Sequence, residues 1–410
     1  MSEKPQHWPM TQFPSRGDEL TVGGIPLRRL AARAGQTPFY AYDRGLMSAR
    51  VAALRAAMPN GLHLHYAMKA NPMPAVVQHL APLVDGLDVA SLKELRVALD
   101  TNTDPAHISF AGPGKGEVEL RAALAAGITV NIESERELPL LARYAAELGV
   151  PARVAVRVNP DFELKGSGMK MGGGSQQFGI DAERVPEILR QIAALGLDFQ
   201  GFHIFTGSQN LRHEAITSAH DAIFALAYRL AEDAPGPLRH LNIGGGFGVP
   251  YFPGDRPLEL VPIADNLERH LAEARTRLGD SAIVLELGRY LVAEAGVYVC
   301  EVLDRKVSRG EVLLVTNGGL HHHLAAAGLF GQIIRKNYPV VIGTRMAATD
   351  TELASVVGPL CTPLDLLANK MELARAEPGD LVVVYQSGAY GFTASPRDFL
   401  SHAHPVEMLI

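Results

Sequence analysis

A chain of 410 residues with 47% hydrophobic positions exceeds one ordinary domain and carries enough apolar material for full cores, so two domains are expected. Its formal charge of −6 gives no electrostatic attraction to nucleic acid or to an anionic membrane surface, which leaves small molecules or another protein as partners. Two cysteines, Cys300 and Cys361, are too few for a disulfide framework, MSEKPQHWPM lacks a signal-peptide core, and no run has the length of a membrane span; a soluble cytoplasmic protein is expected.

Residues 1–20 are Pro-rich and polar, an arm, and TVGGIPL at 21–27 reads as a first strand or hairpin edge able to join a later sheet. RRLAARAG follows as a short helix stopped by glycine. From residue 38 apolar strands alternate with amphipathic helices, the rhythm of right-handed βα units around a parallel sheet. The predicted strands are FYAYD, HLHYAMK, GLDVAS, HISFAG, TVNIES, RVAVRVN, GFHIFTG, HLNIGGG and IVLELG. About eight such units in about 240 residues favour a closed (β/α)8 barrel over a doubly wound open sheet. After residue 290 the long helices disappear. GVYVCEVLDRKV, EVLLVTNGG, LASVVGP, DLVVVYQSGAYG and HPVEMLI alternate with period two, which predicts an antiparallel β domain. The division is residues 1–34 as arm and strand joining the β domain, 35–285 as barrel and 286–410 as β domain.

Within the barrel, LHLHYAMKANP at 62–72 ends an apolar run on Lys69, at the strand end where such folds keep their chemistry. A lysine there is most often a solvated loop residue, and the motifs downstream are what distinguish this one. GGGFG at 244–248 follows the apolar HLNI, and its glycines suit either a phosphate cradle or a tight turn. LELGR at 285–289 places Glu286 two residues before Gly288, facing the lumen if the Gly288 amide faces a ligand. An amine, a phosphate cradle and a carboxylate for a ring nitrogen are the parts of a pyridoxal phosphate site. His203, in GFHIFTGSQ, suits stacking on an aromatic cofactor or a satisfied core position. Cys361, in VVGPLCTPLD, is a proton donor or a small buried hydrophobe, and Cys300 is a strand core residue. His321, His322 and His323 are read as strand neighbours that alternate faces and cannot converge on one ion without a sharp turn, so no metal is expected.

Together and in this order, the motifs resemble the fold-type III pyridoxal phosphate decarboxylases, the group of ornithine, arginine and diaminopimelate decarboxylases, over roughly residues 20–410. The resemblance implies pyridoxal 5'-phosphate as cofactor and a lysine of YAMKAN, Lys69, that binds it covalently. It further implies Asp88, Ser91 and Glu94 in and after DVAS, Arg157 in VRVNP, a stacking His203 and Ser208 on the phosphate. Gly244, Gly245, Gly246, Phe247 and Gly248 form the glycine-rich loop. Glu286 is then the ring-nitrogen partner, with Gly288, Arg289 and Tyr390 of GAYG completing the cofactor contacts. Cys361 is a catalytic cysteine supplied across a homodimer interface, and Asp365 matches a further acid of that motif. GSGMKMGGGSQQFG, TGSQNL, GGGFGVPYF, GGLHHH, GPLCTPLD and ASPRDFL are similar to a subgroup, the exosortase A system-associated decarboxylases and the butirosin glutamyl-carrier-protein decarboxylase.

Three features depart from the wider family: Thr362 where an acid follows the cysteine, Asn317 where aspartate is usual, and HIFTGSQ, longer between histidine and serine. Neutral residues at Asn317 and Thr362 disfavour a substrate with a distal ammonium, whose desolvation requires an acid partner. The expected substrate is therefore an α-amino acid modified at its far end or linked to an acyl carrier protein; Asp365 restores an acid if it turns inward. The alternative is a diaminopimelate decarboxylase. A racemase on the same architecture is disfavoured by Glu286, and a non-catalytic pyridoxal phosphate-binding regulator by the second domain with its Cys361.

Overall fold

The computed structural model describes residues 5–162, 169–170, 172–332 and 334–410. The chain divides into two compact units. One comprises Arg50–Gly248 and Leu258–Gly288, the other the chain up to Ala49 with Val249–Pro257 and Arg289–Ile410.

The first unit is a closed parallel barrel. Its strands, in chain and spatial order, are Leu62–Ala67, Gly86–Val89, Ile108–Phe110, Thr129–Ile132, Arg153–Asn159, Asp198–Ile204, His240–Gly245 and Ala282–Leu287, and the last pairs with the first in the register Glu286 to His65. Closure abolishes the edges that an open sheet leaves exposed to pairing. Eight of the nine predicted runs are these strands. The helices between them present apolar stripes inward: Ile216, Ala219, Ile223 and Ala227 of His213–Ala231 are buried at three- and four-residue spacing. Each large aliphatic side chain so buried contributes about 1.5–3 kcal/mol. Helix ends are set locally. Ser91 accepts the Glu94 amide at 3.2 Å while Glu94 accepts the Ala90 amide at 2.7 Å, a reciprocal cap on Leu92–Leu99.

The ninth run, FYAYD, does not belong to the barrel. Phe39–Tyr42 pairs antiparallel with Gly296–Ser308 and parallel with Val406–Leu409. All four of its residues are buried, as in a central strand covered on both faces, so its continuous apolar run reads like a barrel strand.

The β unit is built on that 13-residue strand, Gly296–Ser308. Its first half also pairs with Leu381–Val384 and its second half with Glu311–Thr316. Most pairings are antiparallel, but Glu311–Thr316 runs parallel to Thr351–Val357. Two strands of the larger sheet escape the sequence reading. Val340–Ile342 is short, and Leu366–Ala374 lacks clean alternation because its register shifts against Thr351–Val357. Glu19–Val22 and Ile25–Pro26 form a hairpin in a separate three-stranded sheet rather than joining the larger one. Leu20 and Val22 nevertheless pack into one core with Phe39, Val297, Val299 and Val383. The helix Leu27–Ala34 ends at Gly35, whose φ of 73° lets its amide return to the Ala31 carbonyl.

Candidate active site

Lys69 follows directly on the first barrel strand, in a single 3-10 turn, Met68–Ala70, that carries it over the C-terminal rim. Its side chain is 41% exposed, and its amine lies 3.5 Å from Glu286 Oε1 and 5.2 Å from the centre of the Phe205 ring. Glu286 is buried on the last strand. Its other oxygen, Oε2, is 3.0 Å from His203 Nε2 and accepts a hydrogen bond from Asn242 Nδ2 at 3.3 Å. Burial works against the charged form of Glu286, but Lys69, His203 and Arg157 outweigh it and hold its pKa well below the usual carboxylate range. The carboxylate is thus kept ionised. His203 Nε2 thus faces the carboxylate, and its Nδ1 is buried with no hydrogen-bond partner among the described residues.

The glycine-rich loop ends the seventh strand. Asn242 Oδ1 accepts the Gly244 amide at 2.8 Å, which couples the loop to the residue that contacts Glu286. Gly244 and Gly246 have φ of 68° and 77°, the left-handed region that glycine alone enters without strain. At Gly245 a side-chain carbon would fall 2.1 Å from the Glu286 carbonyl oxygen, and at Gly246 2.2 Å from that of Gly207. Phe247 is buried, and the Asn210 amide donates to the Gly246 carbonyl at 2.9 Å. Ser208 stands half-buried on the strand Gly207–Ser208, beside that loop. Gly288 lies where a side-chain carbon would meet the Ala67 carbonyl at 2.8 Å, so the first and last strands approach closely beneath Lys69.

Arg157 donates to Glu133 Oε1 at 3.0 Å, and Glu133 also accepts the Gly112 amide at 2.5 Å and the Gly179 amide at 3.1 Å. Burial opposes ionisation of Glu133, yet Arg157 and Lys115 lower its pKa. Asp88 stands deeper in the lumen, bonded by Ser109 rather than by the residues around Lys69. The segment GSGMKMGGGSQQFG falls partly outside the described residues.

In the β unit, Arg289 donates to the Tyr251 hydroxyl at 3.2 Å and lies 4.6 Å from the centre of the Tyr390 ring. Cys361 is exposed, whereas Cys300 is buried and its thiol is pushed up to about 12 by burial. Asn317 is committed locally: Nδ2 donates to Thr37 Oγ1 at 2.7 Å and to the Thr37 carbonyl at 3.1 Å, and Oδ1 accepts the Glu301 amide at 2.9 Å. Asp365 is buried and accepts the Leu320 amide at 2.6 Å and the Leu360 amide at 2.8 Å, one on each oxygen. Its carboxylate fills the space that side chains at Gly319 and Gly358 would take. Thr362 Oγ1 accepts the Leu364 amide at 3.3 Å.

His321–His323 lie in a turn, not a strand, so the alternation invoked for them does not apply. The His321 and His322 rings lie 3.6 Å apart centre to centre, and His323 bonds Ser387 Oγ at 2.9 Å. Sequence reasoning missed Asn242, Phe205 and Glu133. Asn242 has a readable signal, an amide inside an apolar run two residues before the first loop glycine.

A strand-end amine, an ionised buried carboxylate, a buried imidazole beside it and a loop that excludes side chains fit a phosphate-bearing aromatic aldehyde. The chain belongs to the pyridoxal-dependent decarboxylases: residues 44–293 match the family's pyridoxal binding domain. It is a pyridoxal phosphate-dependent enzyme of that class. It is 38% identical over 384 residues to the L-glutamyl-[BtrI acyl-carrier protein] decarboxylase of Niallia circulans, covering 91% of this chain and 89% of the relative. It is 32% identical to the diaminopimelate decarboxylase of Aquifex aeolicus, covering 93% and 88%. Among solved structures, the Helicobacter pylori diaminopimelate decarboxylase complexed with L-lysine superposes with a TM-score of 0.80 at 26% identity, covering 93% of this chain and 94% of that one.

Proposed function

We propose that this decarboxylase acts on an α-amino acid whose far end is modified or carried by an acyl carrier protein. The observation that carries this reading is the disposition of three residues. Asn317 and Thr362 are neutral, and Asp365 is buried and turned onto the Leu320 and Leu360 amides, so its carboxylate is engaged by its own loop rather than presented to a distal ammonium. Leaving such a cation unpaired on desolvation is costly. The relative from Niallia circulans, whose name gives a carrier-bound glutamyl substrate, supports the same choice.

When bound, pyridoxal phosphate supplies an electron sink for the bond-breaking step. Lys69 would hold the cofactor through its aldehyde carbon and release it to the substrate's α-amine. Glu286, held ionised, would keep the ring nitrogen protonated, and His203 would pack on the ring face. The amides and small residues around Gly244–Gly246 and Ser208 would receive the phosphate. Cys361, on an exposed turn, would serve as proton donor to the Lys69 site of a second copy, in a homodimer.

A side-by-side assay of diaminopimelate, lysine, ornithine and a glutamyl-pantetheine thioester tests the substrate. Carbon dioxide release from the thioester is expected. Efficient turnover of free diaminopimelate, at a kcat/KM on the order of 10⁴ M⁻¹s⁻¹ or more, with none of the thioester, would establish the diaminopimelate activity instead.

A further inference from the structure

Barrel lumens are ordinarily packed with branched apolar side chains. Beneath Lys69 and Glu286 this one is polar and hollow. A cavity of about 160 Å³ opens at the N-terminal end of the strands beside His63, His107 and Arg239, and reaches inward to His65, Asp88 and Asn242. His107 and Arg239 are exposed at its mouth, whereas Asp88 and Asn242 are buried.

The inner wall is hydrogen-bonded. Asn131 Nδ2 donates to Ser109 Oγ at 3.1 Å, Ser109 Oγ donates to Asp88 Oδ1 at 2.6 Å, and His65 Nδ1 lies 3.3 Å from the same oxygen. Asp88 Oδ2 is buried with no hydrogen-bond partner among the described residues. A roomy polar cavity with an unsatisfied carboxylate oxygen holds water; only apolar cavities stay dry. Asn242, on the same wall, donates to Glu286 Oε2, and His65 is the register partner of Glu286 on the adjoining strand. The cavity wall therefore ends on the groups that surround Glu286.

The charged and titratable groups around His65 come from every neighbouring element. They are Asp85 and Asp88 at the second strand, Glu286 on the last, His63 on its own, His107 before the third and His240 on the seventh. Burial disfavours the His65 imidazolium, but Asp88, then Glu286 and Asp85, outweigh it and raise its pKa. His240 is held down at about 3, by burial and then by His65 and His203. Of these imidazoles, His65 carries the contact that favours its protonated form, Asp88 Oδ1 at 3.3 Å from Nδ1.

We propose that the lower lumen is a hydrated proton relay from the N-terminal mouth of the barrel to Glu286, with His65 as its proton-bearing positioning residue. It rests on the reading of Glu286 as the partner of the cofactor's ring nitrogen. The His65 imidazolium gives a proton to lumen water, the water passes one to the Glu286 carboxylate, and His65 recovers its proton from bulk water through the mouth. The return path runs in reverse, so charge balances without opening the substrate side.

The test uses protein loaded with pyridoxal phosphate labelled with ¹⁵N in the ring, whose N–H resonance reports exchange with solvent by saturation transfer. His65→Phe is expected to slow that exchange by about 10-fold or more with the cofactor still bound. Ala282→Leu, which narrows the mouth without touching His65, is expected to slow it in the same direction. Exchange unchanged in both variants overturns the relay while leaving the Glu286 reading intact. An N–H resonance that is absent from the wild type, or identical in Glu286→Gln, overturns the Glu286 reading and the relay with it. The cofactor-free protein gives a separate readout: the His65 ring nitrogens are expected to titrate above the ordinary histidine range in the wild type and to fall back in Asp88→Asn. Equal titration in the two proteins overturns the pairing on which the relay depends.

Discussion

The rim of the barrel around Lys69 and the 358–365 turn of the β unit carry equally dense sequence motifs, but their side chains are employed differently. At the rim, Lys69 and His203 both lie against Glu286, and His203 Nδ1 has no hydrogen-bond partner among the described residues. At the turn Asp365 accepts two backbone amides, and Asn317, just after the strand Glu311–Thr316, bonds Thr37 and the Glu301 amide, all in the same unit. Motif density therefore does not distinguish a residue that works on a ligand from one that holds a loop. The kind of partner separates the two regions: the rim side chains face other side chains around one carboxylate, whereas Asp365 is turned onto main-chain amides of its own loop.

The contrast is broken or sharpened most strongly at Lys69. Lys69→Ala is expected to abolish borohydride-stable attachment of pyridoxal phosphate and to reduce turnover by about 10⁴-fold or more; full attachment in the variant would dismiss the assignment. Mixed and allowed to exchange subunits, inactive Lys69→Ala and Cys361→Ala chains should regain activity. No recovery despite demonstrated exchange would place both residues in one subunit's site.

Glu286→Gln should lower turnover by about 10²-fold, or roughly 3 kcal/mol, with a smaller loss in cofactor affinity, since the charge-assisted contact strengthens as the transition state develops. Unchanged turnover would remove the electron-sink argument.

At the turn the expected losses are in stability. Asp365→Ala leaves the Leu320 and Leu360 amides buried without acceptors, a cost of about 2 kcal/mol in urea unfolding. Asn317→Asp removes the donors to Thr37 and sets a second carboxylate beside Glu301, whose Oε2 already accepts from Thr37 Oγ1 at 3.0 Å. A loss of about 1 kcal/mol is expected, without new activity on diaminopimelate. A variant that turned over diaminopimelate would show that Asn317 reads the substrate.

The smallest effect concerns pH. Asp88 raises the His65 pKa in the folded chain, so the stability contributed by this pair is fully present below the unfolded histidine value near 6.5 and is lost as pH rises through the folded value. The difference in unfolding free energy between wild type and Asp88→Asn should shrink across that interval. A difference that grows with pH would contradict the pairing.

Much of this was legible in the chain itself. Eight of the barrel runs show in apolar periodicity, and YAMKAN, GGGFG and LELGR announce Lys69, the loop and Glu286, because strand-end chemistry demands particular residue types at fixed offsets. FYAYD misleads because a central strand of the β unit is buried on both faces, like a barrel strand. The local bonding of Asp365 and Asn317 was not legible for another reason. Their hydrogen-bond partners are main-chain amides and a threonine distant in sequence, and a backbone amide carries no residue identity to read. The polar lumen went unread: His63 and His65 stand two apart inside a run taken as apolar, and only closure of the barrel turns those positions toward Asp88 and Asn242.

One detail of that lumen bears on how such a chain varies over generations. The His65 ring lies over Gly86, where a side-chain carbon would come within 2.4 Å of Nε2. A mutation that gave position 86 a side chain would displace the imidazole, while loss of the ring would leave a void over the bare backbone. The same carbon would also come within 2.4 Å of the His107 backbone carbonyl, which a smaller residue at 65 does not move, so glycine at 86 is expected to persist among relatives whatever stands at 65, while the ring at 65 is free to vary at the cost of a void.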